Sequence, residues 1–315
     1  MSPTTLTDKV VVITGAGSGI GRALALRAAR GGALLALSDR DGAGLAETVR
    51  LAEQAGVAKV RHDEVDVSDR AAVAAWATGV VEEFGRVNLV VNNAGVTLTG
   101  DFTELTYDDL DWIVGINFHG VVHGSKEFLP HLIASGDGAL VNISSLFGLV
   151  SVPGQSAYNA TKYAVRGLTE AIREEMLVAG HPVTVTCVHP GGIRTGISRN
   201  GRKAAGLDGA RIDALFEDRL ARMSPDRAAE VILDGALAGK ARVLVGLDAH
   251  LIHHFAKLAK MSPDRAAEII LDGALAGKPR VLVGLDAHVI HQLGRILGAR
   301  YQDVVARVTS RLPIR

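Results

Sequence analysis

The stretch that decides the fold lies near the N-terminus, where residues 9–21 read KVVVITGAGSGIG. Val10–Ile13 is a continuous apolar run, which is typical of a central parallel strand covered on both faces. Glycines close the run, and a helical pattern continues from about Ile20 to Arg30. The stretch therefore predicts a strand, a glycine-rich turn and a helix, which together begin an α/β fold.

The same alternation of apolar runs and helical patterns continues along the chain. Repeated strand–helix–strand units with short connections predict a Rossmann-type, doubly wound parallel sheet in a three-layer α/β/α arrangement. The further predicted strands are Ala33–Leu37, Val60–Val67, Val87–Val91, Ala139–Ile143 and Val183–Val188, and the further helices lie near Gly44–Ala55, Asp69–Phe84, Tyr107–Leu132 and Ser156–Ala179.

The C-terminal part contains a tandem duplication, because residues 223–260 recur as 261–298 with 28 identities in 38 positions. Each copy predicts a helix that starts at a Ser-Pro pair, followed by a strand at Arg242–Val245 or Arg280–Val283. Two copies are too few for a solenoid, which needs about three. Without one copy the chain has 315 − 38 = 277 residues, so we expect a single domain over residues 1–315.

A loop rich in Gly and Arg separates the last predicted strand of the sheet from the first copy. Ligands of open α/β sheets bind beyond the carboxyl ends of the strands, and this loop leaves the sheet at that edge. We therefore expect residues 194–222 to form a substrate loop or lid.

Composition excludes several kinds of partner. Lys+Arg and Asp+Glu both number 34, so the net charge is zero and no basic field is available for nucleic acid or an anionic membrane. Cys187 is the single cysteine, which excludes an intrachain disulfide and fits a reducing compartment. The N-terminus lacks a signal-peptide pattern, and the uncharged stretch Gly138–Thr161 is too polar to cross a bilayer. We expect a soluble, cytoplasmic protein.

The glycine-rich turn predicts a dinucleotide site. Glycines at such a turn let the backbone approach a pyrophosphate, which the N–H groups of the helix N-terminus then stabilise. Asp39 ends the second predicted strand, where a carboxylate can accept hydrogen bonds from adenosine ribose hydroxyls and repels a 2′-phosphate. This favours NAD. NADP stays an alternative, because the Arg40 guanidinium could bind that phosphate, although Ser18 supplies no cation within the turn.

A second pair of residues predicts acid–base chemistry. Tyr158 and Lys162 are four residues apart on a predicted helix, so they share one face. A nearby ammonium favours phenolate and lowers the pKa of a tyrosine from about 10. Tyr158 is therefore a candidate general base for an alcohol, or general acid for a ketone.

Taken in order, these motifs resemble the short-chain dehydrogenase/reductase family in its compact, non-extended branch. The resemblance runs from about Lys9 to Thr195. Thr14–Gly21 matches the T-G-x-x-x-G-x-G turn, Asn92–Gly95 the N-N-A-G motif, Asp66-Val67 the adenine-contacting pair, and Pro190–Thr195 the P-G-x-x-x-T segment that holds the nicotinamide carboxamide. The cofactor contacts that the resemblance implies are Gly15, Gly17, Ser18, Gly19, Ile20, Gly21, Asp39, Arg40, Asp66, Val67, Asn93, Ala94, Gly95, Tyr158, Lys162, Pro190, Gly191, Ile193 and Thr195.

The resemblance also implies four catalytic residues. Ser145 stands 13 residues before Tyr158, the family's separation of serine and tyrosine, and Asn117 lies at the place of the family's asparagine. Tyr158 would exchange the proton, Ser145 would donate a hydrogen bond to the substrate oxygen, Lys162 would bind the nicotinamide ribose, and Asn117 would hold a relay water. Ser144 is the rival to Ser145 and is ranked lower on spacing.

These residues predict an NAD-dependent oxidoreductase that interconverts a secondary alcohol and a ketone, in a homodimer or homotetramer. The alternatives are an NADP-dependent carbonyl reductase that uses Arg40, and a non-catalytic dinucleotide-sensing protein, which we would expect to lack the Tyr or the Lys. We expect no metal, because no acid or cysteine completes a site with the histidines at 250, 253, 254, 288 and 291. His189 ends a strand at the ligand edge, where its backbone could contact the cofactor.

Overall fold

A seven-stranded parallel sheet forms the centre of the protein in a computed structural model, which describes residues 6–216 and 221–246. The strand order is β3-β2-β1-β4-β6-β7-β9, and a second, two-stranded sheet pairs β5 with β8. The strands are β1 Val10–Thr14, β2 Leu34–Asp39, β3 Val60–Glu64, β4 Leu89–Asn92, β5 Leu98–Thr99, β6 Gly138–Ile143, β7 Val183–Pro190, β8 Arg202–Lys203 and β9 Arg242–Val245.

Helices cover both faces of the large sheet, which confirms the Rossmann-type fold. They are α1 Gly19–Arg30, α2 Gly42–Gln54, α3 Arg70–Phe84, α4 Tyr107–Val114, α5 Gly120–Ser135, α6 Ser156–Val178, α7 Gly209–Leu215 and α8 Pro225–Leu237, with 3₁₀ turns at Phe102–Glu104 and Leu146–Gly148. No helix among the described residues is both long and apolar enough to cross a membrane.

The apolar run in β1 is continuous because both of its faces are buried. Val11 and Ile13 pack in a core cluster with α1, α2 and α8, whereas Val12 packs in the opposite cluster with α3, α5 and α6. Side chains alternate between the faces of a strand, so a strand covered on both sides needs an apolar residue at every position. This strand therefore holds the three layers together.

The helix predicted over Tyr107–Leu132 is interrupted. A π-helical segment at Gly115–His119 joins α4 to α5 and contains Asn117. Single π turns inside helices occur frequently at functional sites. Asn117 therefore lies where the backbone departs from regular α-helical geometry.

The predicted substrate loop, residues 194–222, contains secondary structure of its own. Its strand β8 pairs in parallel with β5, with Leu98 opposite Arg202 and Thr99 opposite Lys203. The Arg202 guanidinium lies 4.3 Å from the centre of the Trp112 ring and 3.2 Å from an Asp109 carboxylate oxygen. These contacts tie the segment to α4, while its role as a lid stays a prediction.

The first copy of the duplicated unit occupies the edge of the large sheet. Ser224 caps α8 by accepting a hydrogen bond from the N–H of Arg227, and β9 pairs in parallel with β7, so both elements predicted for this copy are present. The second copy, residues 261–298, and the histidines from His250 onward lie outside the described residues. The expectation of one domain over residues 1–315 therefore stays a prediction.

The contacts of the first copy use residues that the second copy repeats. Asp234 on α8 forms an ion pair with Arg27 at 3.0 Å, Arg242 bonds to Glu170 on α6, and the Thr186 hydroxyl donates to the Lys240 carbonyl at 2.7 Å. Residues 261–284 differ from residues 223–246 only by Ile269 in place of Val231 and Pro279 in place of Ala241. Ala241 accepts the N–H of Cys187 through its carbonyl, which a proline also carries.

Deletion of residues 223–260 tests whether the two copies are equivalent. The deletion places the second copy directly after Arg222, so we expect a folded chain whose Tm lies within about 4 °C of the full-length value, which corresponds to roughly 1 kcal/mol. Thermal unfolding followed by circular dichroism measures this. A control that lacks residues 223–298 has neither copy, so it has no sequence to form the strand that pairs with β7 or the helix that packs against α1. This control should not unfold cooperatively. Loss of cooperative unfolding after the single deletion would contradict the equivalence.

Candidate active site

The glycine turn between β1 and α1 is packed too closely to hold side chains. Gly15 and Gly19 have positive φ angles of 66° and 53°, which favour glycine. A Cβ on Gly21 would lie 2.0 Å from the Gly15 carbonyl oxygen, and one on Gly15 would lie 2.7 Å from Cα of Ala94. The backbone angles and the packing of the turn against its own neighbours therefore both require glycine here.

The N-terminus of α1 faces the same place. Ser18 is the N-cap residue of α1, and its side chain makes no capping hydrogen bond. Uncapped N–H groups at the first turn of a helix, with the positive end of the helix dipole, stabilise an anion. The turn thus has the chemistry of a phosphate cradle.

Asn93 and Thr14 join the glycine turn to the end of β4. The Thr14 hydroxyl accepts the N–H groups of Asn93 and Ala94, both at 3.0 Å. The Asn93 side-chain amide donates to the carbonyls of Thr14 and Gly15 at 2.9 and 3.0 Å. The N-N-A-G motif therefore holds the turn in place.

Asp39 lies at the end of β2 beside the turn, as the sequence predicts. One of its carboxylate oxygens accepts the N–H of Gly17 at 2.7 Å, and the other accepts the N–H of Asp41 at 2.9 Å. Arg40 next to it is exposed. A carboxylate that two N–H groups hold in place and an exposed arginine therefore lie side by side at the end of β2.

The next predicted contacts also lie along the carboxyl edge of the sheet. Asp66 accepts hydrogen bonds from the N–H and hydroxyl of Ser68 at 2.9 and 2.7 Å, and Val67 is buried against Gly120. Gly95 sits between the active-site side chains, since a Cβ there would lie 3.2 Å from Oδ1 of Asn117 and 3.3 Å from Nζ of Lys162.

The Pro190–Thr195 segment runs from the end of β7 towards the start of α1. Gly191 donates its N–H to Val245 at 2.9 Å, Ile193 is buried and bridges to Met223, and Thr195 contacts Gly19 closely. A cleft of about 520 Å³ opens beside it and is lined by Gly19, Arg22, Ala23, Leu26, Arg194, Thr195, Gly196, Arg199, Pro225 and Asp226. The Pro190–Thr195 segment therefore lies beside the start of α1 and borders this cleft.

The catalytic candidates Tyr158 and Lys162 are both buried on one face of α6, with 8% and 3% of their surface exposed. Nζ of Lys162 donates to the Ile143 carbonyl at 3.1 Å and lies 5.6 Å from the centre of the Tyr158 ring. Ser145, at the end of β6, is close enough to the Tyr158 phenol for its hydroxyl to lower the pKa of that phenol. The structure thus brings these three residues together.

The ionisation of the pair differs from the expectation. Burial raises the pKa of Tyr158, and the Ser145 hydroxyl lowers it by less. The prediction that Lys162 lowers the pKa of Tyr158 is therefore wrong, because desolvation of the phenolate dominates. Burial likewise lowers the pKa of Lys162 to about 8.

The structure separates Ser145 from its rival Ser144. The Ser144 hydroxyl is buried and donates to the Lys162 carbonyl at 2.8 Å, so its proton is committed to α6. The Ser145 oxygen accepts the N–H of Phe147 at 3.1 Å, which leaves its own proton for the side on which Tyr158 lies.

Asn117 is fully buried in the π-helical segment and clamps residue 96. Its carbonyl oxygen accepts the N–H of Val96 at 2.8 Å, and its amide donates to the Val96 carbonyl at 2.9 Å and to the Thr161 hydroxyl at 3.2 Å. Asn117 therefore holds the loop after β4 against α6. Its predicted water-relay role stays a prediction.

Two polar residues near the site were not predicted as contributors through their side chains. Gln155 bridges β5 to the start of α6, since it accepts from Thr97 at 3.1 Å and donates to Thr99 at 2.8 Å. The His189 ring contacts the Ser145 carbonyl. A polar side chain next to a strand end or helix start is the only sequence signal for either.

In the part of the chain that the structure describes, no group of three His, Cys, Asp or Glu residues is placed to hold a metal.

Comparison with known proteins agrees with this geometry. The sequence model of the short chain dehydrogenase family matches residues 9–206. A Mycobacterium tuberculosis protein named as an oxidoreductase, SadH, is 57% identical over 249 residues, which is 79% of this chain and 90% of that protein. A levodione reductase of Leifsonia aquatica is 40% identical over 205 residues, 64% of this chain and 76% of that protein.

A solved structure shows the same architecture. A short chain dehydrogenase/reductase from Burkholderia phymatum, crystallised in complex with NAD, superposes with a TM-score of 0.75 at 30% identity, covering 85% of this chain and 96% of that one. The family match spans more than half of the chain, and the sheet order and glycine turn fit it. The chain therefore belongs to the short-chain dehydrogenase/reductase family of oxidoreductases.

Proposed function

We propose that this protein is an NAD-dependent oxidoreductase that interconverts a secondary alcohol and a ketone. The observation that carries the proposal is the buried Tyr158 phenol, which lies beside Ser145 and Lys162 at the carboxyl ends of the strands, where the glycine turn also lies. An acid–base group beside a dinucleotide cradle is what a hydride transfer coupled to a proton transfer needs.

The residues of the cradle fit a dinucleotide. Gly15, Gly17 and Gly21 pack directly against Ala94, Asp39 and the Gly15 carbonyl, which fixes the shape of the turn. The uncapped start of α1 suits the pyrophosphate. Asp39 would accept hydrogen bonds from the adenosine ribose, and Lys162 would donate to the nicotinamide ribose. Thr195 would hold the carboxamide. NAD-bound relatives such as the Burkholderia phymatum protein support this assignment.

The chemistry divides between cofactor and protein. When bound, NAD accepts a hydride from the alcohol carbon, or its reduced form supplies one to the ketone carbon. Tyr158 takes the alcohol proton on its phenolate oxygen, or gives its phenol proton to the ketone oxygen. Ser145 donates a hydrogen bond to that oxygen and stabilises the charge that develops on it.

Lys162 supplies the positive charge that the phenolate needs. Because its pKa lies at about 8, it is protonated at neutral pH although it is buried. A positive charge near a phenolate favours the ionised form, but burial outweighs this effect at Tyr158 in this structure. Keeping a charged group in this place costs stability, which the structure offsets in part with the hydrogen bond to Ile143.

The charges at the adenosine end favour NAD. The Asp39 carboxylate is fixed by two N–H groups, so it cannot turn away from a 2′-phosphate. Arg40 is exposed and carries the second candidate, an NADP-dependent carbonyl reductase. Repulsion between a carboxylate and a phosphate at close range is worth about 1–4 kcal/mol near a protein surface.

The surroundings of Tyr158 favour an apolar substrate. The Phe147 ring packs edge-on against Tyr158, with the ring centres 6.0 Å apart. Leu146 and Val96, which directly follow Ser145 and Gly95 in the sequence, are also buried. We propose a moderately hydrophobic alcohol or ketone, such as an alicyclic, aryl or steroid-like compound. The similarity to a protein named levodione reductase is in keeping with carbonyl reduction.

Replacement of Tyr158 by Phe tests the acid–base assignment. The variant lacks the proton-transferring oxygen, so we expect kcat to fall by roughly 10²–10⁴ while NAD binding measured by calorimetry persists. Turnover is followed by NADH absorbance on a panel of hydrophobic alcohols and ketones. Tyr163→Phe, a partly exposed tyrosine on the same helix, is the control and should keep its activity.

Two results would count against the function. Substantial turnover by Tyr158→Phe would remove Tyr158 from the chemistry. Absence of turnover by the unaltered protein with either cofactor across the panel would favour the dinucleotide-sensing alternative.

The cofactor preference is tested by kcat/KM for NAD and NADP. We expect NAD to be preferred by roughly tenfold or more, and Asp39→Ser to reduce that preference because the repulsion is removed. Arg40→Ala is the matched variant and should leave NAD use unchanged. A preference for NADP that Arg40→Ala abolishes would establish the second candidate instead.

Replacement of Lys162 by Met tests the cost of the buried charge. The unfolded lysine keeps its pKa of 10.5 while the folded one has about 8, so the unfolded chain binds more protons between these values. The penalty is fully present below pH 8, falls as pH rises towards 10.5 and is worth about 3 kcal/mol. Allowing for the lost hydrogen bond to Ile143, we expect Lys162→Met to stabilise the cofactor-free protein by about 2 kcal/mol at pH 7.

Urea unfolding at pH 7 and pH 10.5 measures this change. The gain should disappear at the higher pH, and the exposed Lys126→Met should show no gain at either. A Lys162→Met protein less stable than the unaltered one at pH 7 would contradict the argument.

A further inference from the structure

The pairing of β6 with β7 stops just before Ser145. The two strands run in parallel with Ile143 opposite Val188, and the N–H of Ser144 donates to the Val188 carbonyl at 2.8 Å. In this register the next hydrogen bond would run from the N–H of residue 190 to the Ser144 carbonyl. Residue 190 is a proline and has no N–H, so the sheet itself cannot hold the chain at Ser145.

The side chain of His189 continues the connection where the backbone cannot. Its Nδ1 lies 2.9 Å from the Ser145 carbonyl oxygen. A carbonyl only accepts, so Nδ1 carries the proton and donates it. The N–H of Gly148 donates to the same oxygen, also at 2.9 Å. Two donors on one carbonyl fix the orientation of the Ser145 peptide.

His189 is itself held rigidly. It is completely buried, and strand alternation puts it on the same face as Val183 and Val185, which pack in the core cluster that contains Tyr158. Its second nitrogen, Nε2, is buried and has no hydrogen-bond partner among the described residues. An unpartnered buried nitrogen is unfavourable, and an apolar side chain would avoid it. Nδ1, and not Nε2, is therefore the ring nitrogen that makes a hydrogen bond.

The His189 ring is neutral at and around neutral pH. Burial is the main cause that lowers the pKa of His189 to about 4. The charged groups that act on it are Arg166 and Glu170 on α6 and Arg242 on β9. A neutral ring with one proton on Nδ1 is a fixed donor and does not switch with pH.

We infer that His189 is a positioning residue, which acts through the Ser145 peptide to aim the Ser145 hydroxyl at Tyr158 and the substrate oxygen. The Ser145 side chain is the only link in this chain of contacts that reaches the reacting atoms. The inference rests on the proposed function for its catalytic consequence, while the His189–Ser145 contact stands on the structure alone.

Two substitutions separate the donor from the ring. Asn places a side-chain N–H near the position of Nδ1, whereas Leu fills similar space without a donor. We expect His189→Leu to lower kcat by roughly 10–100-fold, a part of what loss of a donor to a developing oxyanion costs, with KM for NAD changed less than about twofold. His189→Asn should stay within about threefold of the unaltered enzyme.

The pH profile of alcohol oxidation distinguishes positioning from general loss of structure. The Ser145 hydroxyl lowers the pKa of Tyr158, so a displaced Ser145 should move the acid limb of log(kcat/KM) to higher pH in His189→Leu and not in His189→Asn. A merely structural role would scale all rates down without moving the limb. Thermal unfolding of both variants identifies a folding defect.

A readout independent of activity is the nitrogen NMR spectrum of ¹⁵N-histidine-labelled protein. His189, identified as the signal absent in His189→Asn, should show the Nδ1–H tautomer without titration between pH 5 and pH 9. An Nε2–H tautomer, unaltered kinetics in His189→Leu, or equal damage in both variants would overturn the inference. Failure of the unaltered protein to turn over any substrate would count against the proposed function, and the tautomer would still decide the contact.

Discussion

The structure depends on the close passage of the glycine turn past the end of β4. Gly21 fits against the Gly15 carbonyl only because it lacks a side chain, and Asn93 bonds both Thr14 and Gly15 across the gap. This contact brings together the start of α1, the Asp39 carboxylate and Gly95. Gly95 in turn leaves the space beside which Lys162 and Asn117 lie. A side chain at any of these glycines would push the cofactor cradle away from the acid–base pair.

The active-site end is assembled at an energetic cost. Tyr158, Lys162, Asn117 and His189 are polar groups almost completely removed from water. The backbone satisfies most of them, through the Ile143 carbonyl for Lys162, both main-chain groups of Val96 for Asn117, and the Ser145 carbonyl for His189. The surrounding sheet, buried on both faces, supplies the stability against which these costs are set. A fixed polar site of this kind needs little reorganisation when charge develops on a substrate oxygen.

Much of this could be predicted from the sequence, for reasons that particular residues show. Val10–Ile13 predicts a strand covered on both faces because no polar position interrupts it, and the 13-residue spacing favours Ser145 over Ser144.

Contacts between distant residues could not be predicted. The Asn117 side chain bonds to Val96, 21 residues away, and the His189–Ser145 bond spans 44 residues. The direction of the Tyr158 pKa shift could not be predicted, because helical spacing indicates proximity to Lys162 but not burial, and burial dominates. Composition also could not assign the edge strand, since both copies of the duplicated unit carry the same residues.

The proposed function requires NAD to lie along the carboxyl ends of the strands, with its nicotinamide end beside Tyr158 and Lys162. A crystal structure of the complex with NAD would test this arrangement. We expect the pyrophosphate at the start of α1, the adenosine ribose on Asp39, and Nζ of Lys162 bonded to the nicotinamide ribose instead of the Ile143 carbonyl. NAD bound elsewhere, or bound in the cleft with Lys162 still on Ile143 and Asp39 without a ribose contact, would contradict it.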